Sequence, residues 1–152
     1  MLRIILSMVK SLEKIAKQKK IKYFLVTFVD LFGVQRAKLV PTRAIGEMQK
    51  TGAGFGGFAT HLDLSFSEPD MFALPDPESL IQLPWQPDVG WLASDLVMNN
   101  KLMDQCPRVI LKNQIENLDK LDLTMKTGVE CEFFILNEDG SEVADTRDDA
   151  LK

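Results

Sequence analysis

Apolar residues recur at helical spacing near the beginning of the chain. The apolar positions of this stretch are Ile5, Met8, Leu12, Ile15 and Ala16. The spacing predicts an amphipathic helix over residues 5–19, inside an N-terminal helical segment at residues 1–20. Met8 is an alternative start to Met1, which would make the first seven residues an addition to the domain.

The next pattern is typical of β-structure. Two runs rich in β-branched and aromatic residues occupy residues 21–41 and flank the sequence Asp30-Leu31-Phe32-Gly33. This predicts a β-hairpin, in which Gly33 supplies the turn conformation and Pro41 closes the second strand. Residues 42–50 then predict a short helix with Thr42 as its cap.

The chain changes character at residues 51–79, which are rich in glycine and proline yet carry four phenylalanines. This segment is too apolar for a linker and predicts a long ordered loop that lies against another element. Two further strands are predicted at residues 79–85 and 89–98, joined by a turn that contains proline.

The last third predicts one helix and one strand. The helix covers residues 107–121 and has proline in its first turn. The strand covers residues 124–136 and is followed by a turn at 137–140. The pattern as a whole predicts an α+β fold, with a domain boundary near residues 98–106.

Composition and charge exclude several classes of function. The net charge of the 152 residues is −4, which argues against a nucleic-acid partner. No apolar run approaches the roughly 18 residues of a membrane-spanning helix, and no signal peptide is recognisable. The two cysteines, Cys106 and Cys131, form no CxxC motif, so we expect free thiols in a cytoplasmic protein. His61 is the single histidine, so the sequence offers no histidine cluster for a metal site.

Two carboxylates stand inside the apolar run of residues 127–136. On a strand, Glu130 and Glu132 share one face and lie roughly 7 Å apart along it. Like charges at that spacing favour a cation between them, and carboxylate oxygens are ligands for Mg²⁺ or Mn²⁺. A solvated outer face of a half-buried strand explains the same alternation. Spacing alone leaves both interpretations open.

Three stretches together resemble the glutamine synthetase family. "GVECEFFIL" resembles the Glu-x-Glu-Phe signature that opens its catalytic domain, "VTFVDLFGVQRAKLVP" resembles its first hairpin, and "SEPDMFALPDPESL" resembles its Asp-Met-x-x-x-Pro-Asp stretch. They occur in the family's order, and the resemblance runs from Leu12 to Leu136.

The resemblance implies a β-grasp domain at residues 21–103 and the first helix and strand of a catalytic domain at 104–152. It also implies an ATP-dependent ligase that joins ammonia or a small amine to the γ-carboxyl of glutamate through γ-glutamyl phosphate. Residues that match Glu130 and Glu132 bind the catalytic Mg²⁺ or Mn²⁺ ions in that family. The implied assembly is a homo-oligomer, in which each β-grasp domain contacts the neighbouring catalytic domain.

The sequence departs from the family at the ammonium site. Gly56 stands where many members carry an aspartate that binds ammonium, and Asp63 lies nearby at a different position. Loss of that carboxylate weakens the case for ammonium and makes the pattern similar to the branch that includes glutamate–methylamine ligases.

The family's ATP- and glutamate-binding residues lie beyond the position of Lys152. We therefore expect no synthetase activity from these 152 residues alone. The alternative is a truncated, non-catalytic chain that acts as an oligomer-interaction module or is the relic of a broken gene.

Overall fold

A ten-residue strand, β6 (Val89–Met98), is the centre of the sheet. The computed structural model describes residues 11–144. Its three helices are α1 (Leu12–Lys19), α2 (Thr42–Thr51) and α3 (Pro107–Asp119). The other strands are β1 (Tyr23–Val29), β2 (Gln35–Pro41), β3 (Ala53–Phe55), β4 (Met71–Pro75), β5 (Ile81–Gln82) and β7 (Lys101–Leu102). The predicted α+β class is therefore confirmed.

The sheet has the strand order β2-β1-β6-β4-β3, and the short strands β5 and β7 also pair with β6. Strands β1 and β6 are parallel, whereas all other pairs in the described residues are antiparallel. A side-chain bond ties the parallel pair together, because the Thr27 hydroxyl donates to the Leu92 carbonyl over 2.9 Å. A central parallel pair with a hairpin at its edge and helices across one face is the β-grasp arrangement.

One face of the sheet carries the core. On β6 the residues Leu92 and Leu96 are fully buried, as are Phe24 and Val26 on β1. Helices α1 and α2 cover this face with apolar side chains such as Ile45, which is also fully buried. The alternation of buried and partly buried positions along β6 follows from the two-residue period of a strand.

The predicted hairpin is confirmed. Strands β1 and β2 pair from Tyr23 opposite Pro41 to Val29 opposite Gln35. Gly33 in the turn has φ +80°, a conformation that favours glycine. Its amide N–H donates to the Asp30 carbonyl over 3.1 Å, which closes the turn.

Two helix predictions need correction. Residues 5–10 and both candidate start methionines lie outside the described residues, but Ser11 is extended, so one continuous helix over residues 5–19 is wrong. Ser11 is the N-cap of α1, and its hydroxyl accepts from the Lys14 amide over 3.4 Å. Helix α2 forms as predicted, yet Thr42 is not its cap, because its hydroxyl donates to the Ile21 carbonyl over 2.8 Å.

The predicted long loop at residues 51–79 is wrong in part, because it contains β3 and β4 as an antiparallel pair. These strands of three and five residues are too short to show a clear alternation in sequence. Strand β7 also escaped prediction. It follows a two-residue turn in which Asn99 and Asn100 have φ +52° and +60°, as tight hairpin turns require.

The predicted strand at residues 124–136 does not form. Residues 123–135 have no regular structure. The only β-pairing described after them is the isolated bridge between Leu136 and Val143. A strand needs a neighbour for its backbone hydrogen bonds, and residues 11–144 provide none there. The turn at 137–140 does form, and the Gly140 amide donates to the Asn137 carbonyl over 2.8 Å.

Helix α3 forms close to its predicted bounds. Of its apolar residues only Val109 is buried, whereas Leu111 and Ile115 are exposed. Within residues 11–144, no helix combines the length and the apolar character needed to cross a bilayer.

Candidate functional site

The segment of residues 53–61, called the glycine loop below, contacts the β1–β2 hairpin. The Lys38 ammonium donates to the Gly54 carbonyl and lies 5.0 Å from the centroid of the Phe55 ring. The Phe55 ring also meets Phe28 edge-on, with ring centroids 4.9 Å apart. These contacts fix the first half of the glycine loop against the hairpin.

The other end of the glycine loop is held by Arg36. Its Nη2 atom lies 3.2 Å from Nδ1 of His61, and the Phe32 ring meets the imidazole edge-on at 5.3 Å. Because the guanidinium only donates hydrogen bonds, a neutral His61 accepts at Nδ1 and carries its proton on Nε2. His61 is thus a contact between the glycine loop and the hairpin.

Asp30 orients this arginine. The Asp30 side chain is fully buried, and one of its oxygens accepts from the amides of Phe32 and Val34, each over 2.9 Å. The other oxygen accepts from Nε of Arg36 over 3.0 Å. Burial alone would raise the pKa of Asp30, but the amide bonds from Val34 and Phe32, together with the bond and charge of Arg36, hold that pKa below its ordinary value.

Gly56 lies at the middle of the glycine loop. Its φ of −70° and ψ of 110° are open to any residue, so the backbone does not require glycine there. The constraint is steric, because a Cβ atom built on Gly56 would lie 3.0 Å from Cε1 of Phe58. The Phe58 ring is in turn stacked on Phe66, with centroids 4.3 Å apart and an interplanar angle of 27°. The space beside Gly56 is therefore filled by an aromatic ring.

A cleft of about 350 Å³ opens beside this ring. Its lining residues are Phe58, His61, Leu62, Asp63, Leu64, Ser65 and Glu68. The Glu68 carboxylate accepts from the Ser65 amide over 2.6 Å, and Asp63 has φ +59°. Among the described residues, the lining combines the Phe58 ring and the His61 imidazole with two carboxylates and contains no lysine or arginine.

Glu130 and Glu132 lie in the exposed segment of residues 123–135, which has no regular structure. No group of three or more histidine, cysteine, aspartate or glutamate side chains suited to a metal forms within residues 11–144. The oxygen chemistry of the two glutamates fits Mg²⁺ or Mn²⁺, but these ions take about six ligands, more than two carboxylates supply. The metal site therefore stays a prediction, to be completed by residues other than these two.

Both cysteines lie within the described residues. Cys106 is buried and Cys131 is exposed, and both are free, as predicted. Residues 53–57 form β3 and the start of a short 3-10 turn.

An ion-pair network joins α3 to the sheet. Arg108 contacts Asp76 and also donates to Asp95 on β6, with Nε 3.1 Å from Oδ1. Lys112, one turn further along α3, contacts the other oxygen of Asp95. The network fixes the helix that follows the predicted domain boundary.

Comparison with known proteins decides the family. A family model described as the glutamine synthetase catalytic domain matches residues 104–150. A glutamine synthetase from Rhizobium leguminosarum bv. phaseoli is 53% identical over 145 residues, which are 95% of this chain and 33% of that protein. The chain belongs to the glutamine synthetase family. It spans about a third of the length of this curated relative.

Two further members of the glutamine synthetase family match the same region. A glutamate–methylamine ligase from Methyloversatilis universalis is 33% identical over 128 residues, covering 83% of this chain and 29% of that protein. A solved GmaS structure in complex with ADP superposes with a TM-score of 0.83 at 52% identity, over 90% of this chain and 32% of the other. This chain is therefore similar to these proteins in both sequence and fold.

Sequence reasoning misses two features of this family member. One is the burial of Asp30 and its bonds to Arg36, although an aspartate before a glycine turn, with an arginine at the second position of the following strand, is a readable signal. The other is the contact between Gly56 and Phe58. The sequence shows only that a carboxylate is absent at position 56, whereas the structure shows that a ring two residues later occupies its space.

Proposed function

We propose that this chain supplies the N-terminal region of an ATP-dependent ligase that joins ammonia or a small amine to the γ-carboxyl of glutamate. The observation that carries the proposal is the 53% identity to a glutamine synthetase over 145 residues. The alternative of a non-catalytic interaction module is supported by no comparable observation.

The reaction divides into two steps. ATP transfers its γ-phosphoryl group to the γ-carboxylate of glutamate, which gives an acyl phosphate and ADP. The nitrogen of the deprotonated amine then attacks the acyl carbon, the bond from that carbon to the phosphate oxygen breaks, and phosphate leaves. The amine's proton passes to a base or to water, and the product is a γ-glutamyl amide.

The chain's own residues have two proposed roles. Glu130 and Glu132 would hold divalent ions, which neutralise charge on the phosphoryl group during transfer. The glycine loop would face the amine, and its contacts with Lys38 and Arg36 would hold it in place. Neighbouring copies in a homo-oligomer would contribute further residues to the site.

The test is a chimera that carries this chain in place of the matching 145 residues of the Rhizobium leguminosarum relative. Glutamate-dependent release of ADP and mass spectrometry of the amide product would be measured with ammonium and with methylamine. We expect ATP-dependent amide formation by the chimera and none by the 152-residue chain alone. A chimera that folds and assembles like its parent but forms no amide with any amine would contradict the proposal.

A further inference from the structure

His61 contacts the hairpin and also lines the cleft at the end of the glycine loop. On the hairpin, Nη2 of Arg36 lies 3.2 Å from Nδ1 of the imidazole. In the cleft, His61 shares the lining with the carboxylates of Asp63 and Glu68. Among the described residues, these three and Asp30 are the charged side chains that contact His61 or share its cleft. The charge of the imidazole therefore decides which of them attract it.

The contact with the hairpin suits only the neutral form of His61. Protonation places a hydrogen on Nδ1, which removes the acceptor and leaves two cations 3.2 Å apart. Asp30 offsets only part of this repulsion, because its Oδ2 atom lies 3.7 Å from Nδ1 and already accepts from Nε of Arg36 over 3.0 Å. To bond with that oxygen, the imidazolium would have to displace the guanidinium from a fully buried carboxylate.

The side chain of His61 can change position while its backbone stays in place. Its neighbours Thr60 and Leu62 are buried, and the Thr60 amide donates to the Gly57 carbonyl over 3.1 Å. The His61 side chain itself is 56% exposed, and the Phe32 ring that it meets edge-on is also exposed. Rotation about the Cα–Cβ bond of His61 therefore moves the imidazole through solvent and disturbs no core residue.

We propose that His61 is a pH-sensitive switch between the hairpin and the cleft. The neutral imidazole accepts from Arg36 and ties the end of the glycine loop to the hairpin. The imidazolium leaves Arg36, turns toward the carboxylates of Asp63 and Glu68, and separates the loop from the hairpin turn. The inference is independent of the proposed function, because every contact in it lies within this chain.

Nuclear magnetic resonance tests the switch on the 152-residue chain, in which His61 is the single histidine. Its imidazole signals are followed between about pH 8 and about pH 5, the range in which a histidine changes charge. We expect a nuclear Overhauser contact between the imidazole and the Phe32 ring at the alkaline end and its loss at the acidic end. The amides of Phe32 and Val34 should shift along the same titration curve as the imidazole. A contact with Phe32 that persists once the imidazole is protonated would overturn the proposal.

His61→Gln is a matched variant that cannot change its charge. The glutamine carbonyl can accept from Arg36 at every pH, so the amides of Phe32 and Val34 should lose their pH dependence in this range. His61→Ala removes the contact, and the same two amides should resemble those of the acidic parent chain at every pH. The parent's pH dependence in either variant would assign it to another group and refute the switch.

Asp63→Asn together with Glu68→Gln tests where the imidazolium goes. The double variant removes both negative charges and keeps the side-chain oxygens, and asparagine tolerates the φ of +59° at position 63. Its contact between His61 and Phe32 should persist at a pH at which the parent chain has lost it. The control Asp70→Asn, at an exposed aspartate that lines a different cavity, should follow the parent. A double variant that also follows the parent would show that the cleft does not receive the imidazolium and would contradict the proposal.

Discussion

Asp30 and Arg36 face each other across the turn of the β1–β2 hairpin, and Nε and Nη2 of the guanidinium lie 3.0 and 2.9 Å from the same carboxylate oxygen. The carboxylate is fully buried, while the arginine reaches out to His61 on the glycine loop. A charge inside the hairpin thus determines where a surface loop lies.

Asp30→Asn should lower the stability of the fold near neutral pH. The folded pKa of Asp30 lies below its ordinary value of 3.8, so its ionised form stabilises the fold above that pH. This stabilisation is lost as the pH falls through the folded pKa. Urea unfolding of the parent chain should therefore show a decline in stability below about pH 3.8 that is smaller in Asp30→Asn.

The matched control for Asp30 is Asp104→Asn, at an exposed aspartate outside the hairpin. It should leave both the neutral-pH stability and its acid decline nearly unchanged, since exposed substitutions have small effects. Identical acid declines in the parent chain and in Asp30→Asn would show that Asp30 does not carry this pH dependence.

Gly33→Ala should destabilise the protein by about 1 to 2 kcal/mol. The residue has φ +80°, and a methyl group in place of its Hα would meet nothing within 4 Å, so the cost comes from the backbone conformation alone. Gly128→Ala is the paired control, because that position is equally open and its φ is not in the left-handed region. Thermal unfolding of both variants gives the comparison, and equal effects would refute the conformational explanation.

The bond from Arg108 to Asp95 should couple α3 to the sheet. In a double-mutant cycle with Arg108→Met and Asp95→Asn, we expect an interaction free energy on the order of 1 kcal/mol. Both groups are only partly buried, so the coupling should weaken as salt is added. Chemical unfolding of the four proteins measures it, and additive effects at low salt would show that the network does not tie the helix.

Glu130→Gln and Glu132→Gln should each weaken Mn²⁺ binding by the chimera, because a neutral amide is a poorer ligand for a hard cation than a carboxylate. Glu138→Gln and Glu142→Gln, in the exposed turn region that follows, should leave it unchanged. Isothermal titration calorimetry gives the affinities. Unchanged Mn²⁺ affinity in the first pair would favour the solvated-face interpretation.

Local signals in the sequence are enough for the hairpin and for α3. The glycine at position 33, the run of β-branched residues on either side and the proline at 107 each act through the backbone of their own neighbourhood. These signals can be recognised without knowing how the rest of the chain folds, and the structure confirms the elements that they predict.

Elements that depend on distant partners are harder to predict. Strands β3 and β4 form by pairing with each other. In this pair Ala53 lies opposite Ala73, although the two residues are far apart in sequence. The strand expected at residues 124–136 has the right alternation but no neighbour among the described residues. Glu130 and Glu132 consequently have a predicted role, but the described residues form no metal site around them. The cleft beside Phe58, by contrast, is visible in the structure and could not be predicted from the sequence.

Strand β6 hydrogen-bonds to β1 on one side and to β4 on the other, so the two halves of the sheet share one backbone. Neither half can open without breaking bonds made by that strand. Amide protons of Val26 on β1 and Ala73 on β4 should therefore exchange with deuterium at one common rate under conditions where global unfolding limits exchange. The sheet would then behave as a single cooperative unit, and the hairpin and the β3–β4 pair would gain and lose protection together.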